Sequence, residues 1–529
     1  MKLKKELQSF FKGDVFDSDQ KLAQYSRDAS LFEVKPQLVV TPKNSSDLQK
    51  LVAFVNKRKG LSLTGRAGGS DMTGGPLTES IVVDFKNFNK IKKIGKTFAV
   101  VEPGVYYRDF EKKAKKKGLL FPSYPASKNL CAWGGMVANN AGGEKTLAYG
   151  KTEDYVQELK VVLSDGQQYT FKDLNKTQLA KKLKQQDFEG QVYRRVYNLV
   201  KKNKALIEEA KPRVSKNSSG YYLWNVWDGK TFNLANLFVG SQGTLGLITE
   251  IKVGLIKPKK HSKLLVIFLN DLKPLGKIVN EILKYNPESF ESYDDNTLKL
   301  GMRYLFWQFA FQFLPELGMV LRGGLPQLVL IAEFTGDSID EVDQKALAAQ
   351  QDIAHFKLPT RITKNAKETA KYWTVRRESF NLLRQKIKDK QTAPFIDDIV
   401  VQPEKLPQFL PQLKKILNKY DITYTIAGHV GNGNFHIIPL MNLADEKSGQ
   451  IITELSKEVY ALVFKFEGSM SAEHNDGLIR TPFMQKMYGR KMYQLFKETK
   501  KIFDPNNIFN PGKKVDGKLS YAIKHLKKK

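Results

Sequence analysis

The sequence has one cysteine in 529 residues, and this scarcity excludes two classes of protein. A lone Cys131 cannot build a disulfide framework, and it cannot hold a Cys-ligated iron–sulfur cluster without another chain. Proteins of this composition suit a reducing compartment. We therefore expect a cytoplasmic protein.

Long apolar runs are also lacking. The most membrane-like stretch, Tyr304–Pro315, has 12 charge-free residues, whereas a helix that spans a bilayer needs about 20 apolar residues. Met1–Asp14 has no apolar core of the length that a secretion signal requires. We therefore expect no membrane span. The six aromatics of Tyr304–Pro315 favour a buried helix, and a peripheral contact at the inner membrane face is the alternative.

Acidic residues are scarce relative to basic ones, since 86 lysines and arginines against 55 aspartates and glutamates give a formal net charge of +31. Such a surplus is compatible with an anionic partner, and equally with a lysine-rich surface that only solvates the protein. The lysines are spread along the chain without a nucleic-acid-binding motif, so nucleic acid is not an expected partner. The 41% hydrophobic and 27% charged residues are typical of a globular protein, and the length predicts two or three domains.

The first half of the chain alternates short β-branched runs with helical patterns and glycines. We predict strands at 38–40, 80–83, 98–101 and 159–163, and helices at 47–58 and 109–117, the first capped by Ser45 or Ser46. Residues 174–210 are charged and helix-prone, as in an insertion. From about residue 259 to 424, strand candidates at 264–269 and 328–334 are separated by helical patterns at 340–354 and 367–388. A final helix is predicted over 481–503, and the fold class is α+β with an antiparallel sheet covered by helices.

Glycines cluster in three segments. Residues 65–75 (GRAGGSDMTGG) follow a strand-like run, and closely spaced glycines let backbone N–H groups approach a pyrophosphate. Glycine-rich turns without a ligand are common, and this loop has neither a Walker lysine nor GxGxxG spacing, so both interpretations stay open. Residues 130–143 (LCAWGGMVANNAGG) and 240–250 (GSQGTLGLITE) add two further stretches of small residues. The first would admit a large planar ligand against the backbone.

The six histidines are unevenly distributed. His429, His436 and His474 fall within a 46-residue window, and Glu473 precedes the last of them. Imidazole and carboxylate together suit Zn²⁺, Mn²⁺ or Fe²⁺. The residues alone are equally compatible with hydrogen-bonded polar side chains that hold no metal.

Several motifs in order resemble one flavoprotein family. The three glycine segments with EPGV at 102–105 are similar to the FAD-binding half of the vanillyl-alcohol oxidase/p-cresol methylhydroxylase family. AGHVGNGNFH at 427–436, SAEHNDGLIR at 471–480 and FDPNNIFNPGK at 503–513 resemble signatures of its D-lactate/glycolate/D-2-hydroxyglutarate dehydrogenase branch. The resemblance covers about residues 20–515.

The resemblance implies an architecture. It predicts a PCMH-type FAD-binding domain of two α+β subdomains, an antiparallel-sheet substrate (cap) domain, and a C-terminal helical segment. The corresponding boundaries are an N-terminal helical lead-in at 1–30, the FAD domain at 31–258, the cap with the metal site at 259–480, and a segment at 481–529 that returns to the FAD domain.

The resemblance also implies a chemistry, the FAD-dependent oxidation of a small D-2-hydroxy acid to the 2-oxo acid. His429, His436 and Glu473 would hold one divalent metal, zinc with manganese or iron as alternatives. His474 would take the hydroxyl proton while the hydride moves to flavin N5, and Arg376 would clamp the substrate carboxylate. The implied cofactor-binding residues are Arg66, Ala67, Gly68, Gly69, Ser70, Asp71, Met72, Thr73, Pro103, Gly104, Ser127, Cys131, Gly134, Gly135, Ala138, Asn139, Ala141, Gly243, Ile248 and Asn510.

The departures from the family pattern sharpen these expectations. The loop at 65–75 has no histidine, so FAD is expected to bind non-covalently. Gln242 and Asn475 replace a usual glutamate and glycine. Ile396 and Phe380 stand where hydroxyglutarate-type members carry a lysine and a threonine. We interpret Ile396 and Phe380 as an apolar wall, which predicts a D-lactate-like monocarboxylate over D-2-hydroxyglutarate by about tenfold or more; D-2-hydroxyglutarate or glycolate is the alternative.

The resemblance also implies a separate electron acceptor, because the cysteine-rich half of long FAD/iron–sulfur relatives has no counterpart in this sequence. A quinone, an electron-transfer flavoprotein or an iron–sulfur partner would serve. Two rival functions stay open at this stage. One is a basic membrane- or nucleic-acid-binding protein on a degenerate flavin fold, and the other is a flavin oxidase of alcohols or sugars.

Overall fold

A computed structural model of the chain describes residues 2–295, 297–298, 324–386 and 390–528, with no side chains given for 378–386. The aromatic stretch Tyr304–Pro315 and the side chain of Phe380 lie outside the described residues. Within the described part, no helix combines the length and apolar character that crossing a bilayer requires.

Seventeen strands are described, and they are numbered in chain order. They are β1 Asp14–Phe16, β2 Leu38–Thr41, β3 Leu63–Arg66, β4 Ile81–Asp84, β5 Ile91–Ile94, β6 Phe98–Val101, β7 Val156–Val162, β8 Gln168–Lys172, β9 Leu247–Gly254, β10 His261–Leu269, β11 Ser289–Asp294, β12 Leu328–Gly336, β13 Thr360–Ile362, β14 Gln391–Thr392, β15 Ile399–Val400, β16 Thr423–His429 and β17 Asn434–Met441.

The helices of the described residues are numbered in the same way. They are α1 Lys2–Gln8, α2 Asp19–Tyr25, α3 Ser45–Asn56, α4 Tyr107–Lys115, α5 Trp133–Asn139, α6 Thr146–Tyr149, α7 Lys176–Lys184, α8 Phe188–Lys202, α9 Lys204–Ala210, α10 Ala235–Phe238, α11 Leu275–Leu283, α12 Ile339–Asp352, α13 Ala366–Lys386, α14 Leu406–Leu417, α15 Glu446–Lys465, α16 Gly477–Arg480, α17 Met484–Phe503 and α18 Leu519–Lys524.

The first sheet has the strand order β1-β2-β4-β3, with β2, β4 and β3 parallel. Parallel strands buried on both faces have continuous apolar sequences, and β2 and β4 are buried at every position. The pairing of β1 with β2 is antiparallel. The helical lead-in predicted at 1–30 contains α1 and α2, and it also carries β1, whose Val15 is buried at the edge of this sheet.

Helix α3 packs on the same sheet through Leu48, Leu51, Val52 and Val55, a spacing of three and four residues that places them on one face. Its predicted cap is corrected by the structure. Asn44, and not Ser45 or Ser46, occupies the N-cap position, where its side-chain oxygen accepts the N–H of Asp47 at 3.0 Å.

The second sheet is antiparallel, with the order β5-β6-β9-β7-β8. Along β9 buried residues alternate with partly exposed ones, as expected for a strand with one face on the core. Helices α7, α8 and α9 follow β8 and confirm that residues 174–210 are helical.

The third sheet is also antiparallel and has eight strands in the order β13-β10-β12-β11-β16-β17-β14, with β15 paired to β17. Helix α12 packs on β10 and β12, which confirms the predicted antiparallel sheet covered by helices. The hairpin of β16 and β17 turns at Val430–Asn432 and brings His429 opposite Asn434.

The end of the chain pairs with the first sheet. The N–H of Leu63 donates to the carbonyl of Ile508 at 2.7 Å, and the N–H of Asn510 donates to the carbonyl of Leu63 at 2.9 Å. Phe509 is fully buried at this junction. Residues 508–510 thus extend a sheet that the first hundred residues begin.

Candidate active site

A cavity of about 1120 Å³ is lined by the glycine-rich segments of the first half of the chain and by the hairpin of β16 and β17. Small-molecule pockets typically measure about 300–1,000 Å³, so this cavity suits a large ligand. Seventeen of the predicted cofactor-binding residues line it: Arg66, Ala67, Gly68, Gly69, Ser70, Asp71, Met72, Pro103, Ser127, Cys131, Gly134, Gly135, Ala138, Asn139, Ala141, Gly243 and Ile248. We call this part of the wall the flavin cradle.

The flavin cradle is shaped by close contacts at its glycines. A Cβ atom on Gly68 would lie 2.5 Å from the carbonyl oxygen of Leu130, and one on Gly134 would lie 2.7 Å from Cβ of Pro103. Only glycine fits at such contacts. The carboxylate of Asp71 folds the loop by accepting the N–H groups of Thr73 and Gly75 at 2.7 and 3.0 Å.

Three predicted cofactor-binding residues lie behind the cavity wall instead. Thr73 is fully buried and donates its hydroxyl to Asp71 at 2.8 Å. Gly104 packs on the backbone, where an added Cβ would lie 2.1 Å from the carbonyl oxygen of Phe85. Asn510 donates to the carbonyls of Gly75 and Gln242 at 2.9 and 2.7 Å. These three residues therefore lie outside the cavity lining and contact the segments that form it.

His429, His436 and Glu473 converge at the other end of the cavity. Oε1 of Glu473 lies 3.2 Å from Nε2 of His429 and 3.4 Å from Nε2 of His436. The segment of Glu473 is thus brought to the hairpin that carries both histidines. Two imidazole nitrogens and a carboxylate oxygen at this separation form a donor set that suits a divalent cation.

The opposite nitrogen of each ring is held by a second carboxylate. Nδ1 of His429 lies 2.6 Å from Glu291, and Nδ1 of His436 lies 3.1 Å from Asp397. Carboxylates in this position fix the ring orientation of metal-binding histidines. Burial opposes the charged form of His436, but Asp397 and Glu473 outweigh it and raise the pKa of His436 to about 10. Excess negative charge in this group therefore favours a bound cation.

Asp398 also lies within reach of His436, Glu473 and His474. Its Oδ2 already accepts the N–H groups of Glu473 and His474 at 2.9 and 2.7 Å and the hydroxyl of Ser471 at 2.8 Å. We therefore assign Asp398 to holding the 471–474 segment in place and keep His429 as the third candidate ligand.

His474 lies beside this donor set, stacked on His436 with ring centroids 5.1 Å apart. Its Nδ1 lies 2.7 Å from Oδ2 of Asp397, so one carboxylate holds both rings. Burial opposes the charged form, but Asp397 and Asp398 outweigh it and raise the pKa of His474. We call His429, His436, Glu473 and His474, with Glu291 and Asp397, the histidine–carboxylate cluster.

Arg376 lines the same cavity from helix α13. Its Nε and Nη2 lie 3.2 and 3.1 Å from Oε2 of Glu291, the carboxylate that also holds His429. This contact fixes the edge of the guanidinium that carries Nε and Nη2. Nη1 lies on the opposite edge. The sequence-predicted arginine is therefore brought next to the histidine–carboxylate cluster.

Sequence reasoning missed Glu291 and Lys216 and assigned no role to Asp397. Lys216 is fully buried, and its Nζ lies 3.0 Å from Oε2 of Glu473. Ion pairs of Arg376 with Glu291 and of Lys216 with Glu473 balance two of the carboxylates. The sequence did contain one signal for Glu291. It is an acidic residue within the strand-like sequence SFESYD of β11, and a buried acid in a strand needs a partner.

The interpretation of Ile396 as a wall of the substrate site is wrong. Ile396 is fully buried in the hydrophobic core and is not part of the cavity lining. The next residue, Asp397, contacts His436 and His474. The side chain of Ile396 packs in the hydrophobic core instead.

Family comparisons now bear on this geometry. Residues 36–172 match the FAD binding domain family, and residues 258–514 match the family described as FAD linked oxidases, C-terminal domain. The chain therefore combines an FAD binding domain with the C-terminal domain of FAD-linked oxidases. The matched FAD binding domain assigns FAD as the cofactor, which fits the size and glycine lining of the flavin cradle.

Curated relatives match nearly the full chain. The D-2-hydroxyglutarate dehydrogenase of Pseudomonas putida is 27% identical over 516 residues, which are 96% of this chain and 51% of the relative. The D-lactate dehydrogenase of Archaeoglobus fulgidus is 26% identical and is matched over 90% of this chain and 91% of its own length. The chain thus spans about half the length of the first of these relatives and most of the second.

Solved structures share the fold of this FAD-linked oxidase. The 4-ethylphenol oxidase of Gulosibacter chungangensis has a TM-score of 0.70 at 16% identity, covering 98% of this chain and 97% of its own. p-Cresol methylhydroxylase with bound substrate has a TM-score of 0.69 at 15% identity, covering 97% and 96%. The PCMH-type fold predicted from the motifs is confirmed.

Proposed function

We propose that this FAD-linked oxidase oxidises a D-2-hydroxy acid to the corresponding 2-oxo acid. Its support is the arrangement of two different sites in one cavity, since the flavin cradle and the histidine–carboxylate cluster share a single lining with Arg376. Curated relatives named for D-2-hydroxyglutarate, D-lactate and glycolate agree with a substrate of this class.

Arg376 is suited to bind the substrate carboxylate. Its side chain is 15% exposed, and Glu291 anchors one edge of the guanidinium. A guanidinium that is already held in place loses little conformational entropy when it binds a carboxylate. The contact therefore orients the substrate as well as attracting it. The C2 hydroxyl is then directed to the histidines.

His474 is the proposed acceptor of the hydroxyl proton. Asp397 contacts Nδ1, which leaves Nε2 for the substrate. A histidine held in this way presents one nitrogen in one orientation, as general-base catalysis requires. FAD, when bound, supplies the oxidant that accepts the hydride from C2.

His429, His436 and Glu473 are the proposed ligands of one divalent cation, zinc with manganese or iron as alternatives. The two Nε2 atoms that face Glu473 and the carboxylates behind both rings support this set. Such an ion acidifies a coordinated hydroxyl and neutralises the carboxylates around it.

The proposed cofactor linkage is non-covalent, because the flavin cradle segment at 65–75 contains no histidine. Acid precipitation of the purified protein should leave the flavin in the supernatant. A yellow pellet would contradict the proposal. The electron acceptor is proposed to be a separate quinone, electron-transfer flavoprotein or iron–sulfur protein, and the site of action the cytoplasm, with peripheral contact at the inner membrane face as the alternative.

The test of the proposed activity is a panel of D- and L-2-hydroxy acids with an artificial dye as acceptor. We expect reduction of the dye with D-enantiomers, and loss of that reduction after the cation is removed by a chelator and the chelator is dialysed away. Turnover of simple alcohols or sugars in place of hydroxy acids would refute it. So would full turnover of a metal-free sample.

A further inference from the structure

Two consecutive arginines of helix α13 bind two different carboxylates. Arg376 contacts Glu291 of β11, and the carboxylate of Glu291 also contacts His429. Arg377 contacts Glu144, in the segment between α5 and α6. All three of Arg376, Arg377 and Glu144 line the cavity that the histidine–carboxylate cluster lines.

The contact of Arg377 with Glu144 is bidentate. Nη2 donates to Oε1 and Oε2 at 2.7 and 2.8 Å, and Nε donates to Oε2 at 3.2 Å. The guanidinium also lies over the ring of Trp373, 4.4 Å from its centroid. The arginine side chain is 49% exposed and that of Glu144 is 19% exposed. This pair therefore lies at the open side of the cavity. The guanidinium of Arg377 is already bound by a carboxylate of the protein, in the two-pronged geometry that suits this pair of groups.

Glu144 is close to the reaction centre along the chain. Two residues earlier, a Cβ atom on Gly142 would lie 3.2 Å from Oε2 of Glu473. Two residues span at most about 7 Å of chain. A substrate anchored by Arg376 and facing His474 would therefore extend its far end into the region that Glu144 and Arg377 occupy.

We propose that Glu144 occupies the position on Arg377 that the second carboxylate of a dicarboxylic substrate would take, so that this ion pair makes the site selective for 2-hydroxy monocarboxylates. The inference rests on the proposed function and names its substrate class. A dicarboxylate has to displace Glu144 and then leaves a half-buried carboxylate without its partner. A short uncharged substituent meets no such requirement.

The decisive variant is Glu144→Gln, which keeps the shape of the side chain and removes its charge. Arg377 then has a positive charge available for a substrate carboxylate. We expect kcat/KM for D-2-hydroxyglutarate to rise about tenfold or more, with a change of less than about threefold for D-lactate, since a charge-assisted contact in a partly buried site has this magnitude. Adding Arg377→Gln to this variant should abolish the gain.

Lys145→Gln is the matched control. Lys145 pairs with Glu288 and so joins the same segment to the cap, but neither residue lines the cavity. This variant removes a neighbouring ion pair between the same two regions. It should leave the ratio of kcat/KM for the two substrates unchanged within twofold.

A binding measurement separates failure of this inference from failure of the proposed function. Titration of the FAD-loaded protein with pyruvate and with 2-oxoglutarate, followed by the flavin absorbance, reports affinity without turnover. Glu144→Gln should tighten 2-oxoglutarate about tenfold relative to pyruvate. An unchanged ratio of affinities, or an equal gain for both ligands, overturns the role of the pair. Absence of turnover with every hydroxy acid overturns the proposed function and leaves the ratio of affinities as the test of Glu144.

Discussion

The flavin cradle and the histidine–carboxylate cluster lie in one cavity but are built by different physical means. The cradle uses glycines that neighbouring backbone and side-chain atoms approach closely, so it recognises a ligand mainly by shape. The cluster is made of charged side chains that hold one another in place. Asp397, for example, contacts both His436 and His474. A substitution in the cradle should therefore change the binding of FAD, whereas one in the cluster should change chemistry and leave FAD bound.

The largest expected effect follows from removing a proposed metal ligand. Glu473→Ala should lose activity on the order of a thousandfold, because a bound cation contributes several kcal/mol to stabilising developing negative charge. Metal analysis should show loss of the ion, and the flavin absorption spectrum should keep its intensity. Loss of flavin together with metal would show that the two sites do not bind independently.

A smaller effect is expected from the carboxylate that orients the rings. Asp397→Asn should lower activity or metal affinity by about ten- to a hundredfold, since outer carboxylates contribute this much to metal sites. Burial opposes ionisation of Asp397, but His474 and His436 hold its pKa well below the usual range, so the native group is a carboxylate that the amide cannot replace. Kinetics and metal content of the variant measure this, and an effect below threefold on both would contradict it.

The converse experiment concerns the flavin cradle. Gly68→Ala places a Cβ about 2.5 Å from the carbonyl oxygen of Leu130, so backbone has to move. We expect about tenfold weaker FAD binding with unchanged metal content, because overpacking typically costs about 1–3 kcal/mol. Gly254→Ala is the control, since the nearest atoms to its added Cβ are 3.5 Å away. Equal weakening by both variants would rule out a specific effect at the cradle.

An effect of similar size is expected from a change of pH, and it concerns the residues behind the cradle. Lys513 donates to the carbonyl of Leu77 behind the cradle, and burial lowers its pKa to about 8 despite Asp28, Asp71 and Glu79 nearby. Between this value and the usual 10.5 the unfolded chain binds more protons, so stability should rise with pH in that window. The gain is on the order of 1–3 kcal/mol.

Urea unfolding of the wild type and of Lys513→Met from pH 7.5 to 10.5 measures this contribution. The rise with pH should be smaller in the variant, and exposed Lys524→Met should leave it unchanged. A parallel pH dependence of wild type and Lys513→Met would exclude Lys513 as its source.

Sequence patterns predicted the cradle better than the cluster. Glycine spacing is local, so the 65–75 and 130–143 segments could be found without knowing the fold, and the strands at β2 and β4 were equally readable from continuous apolar runs. The partners of the cluster depend on distant pairings, such as β11 with β16, that bring Glu291 to His429. The error at Ile396 has the same origin, because in an irregular segment the sequence does not predict which way a side chain points. The capping of α3 by Asn44 was missed because three neighbouring residues all suit an N-cap.

The pairing of Leu63 with Ile508 and Asn510 sets an order of events during synthesis. The ribosome releases the N-terminal strands long before their last neighbour exists, and the two partners are separated by more than four hundred positions in the sequence. Contacts of such long range are slow to form, and large chains commonly pass through partly assembled intermediates. The backbone groups of Leu63 therefore stay without these partners until residues 508–510 have been synthesised. The first sheet, which carries the start of the 65–75 segment of the flavin cradle, is complete only from that point on.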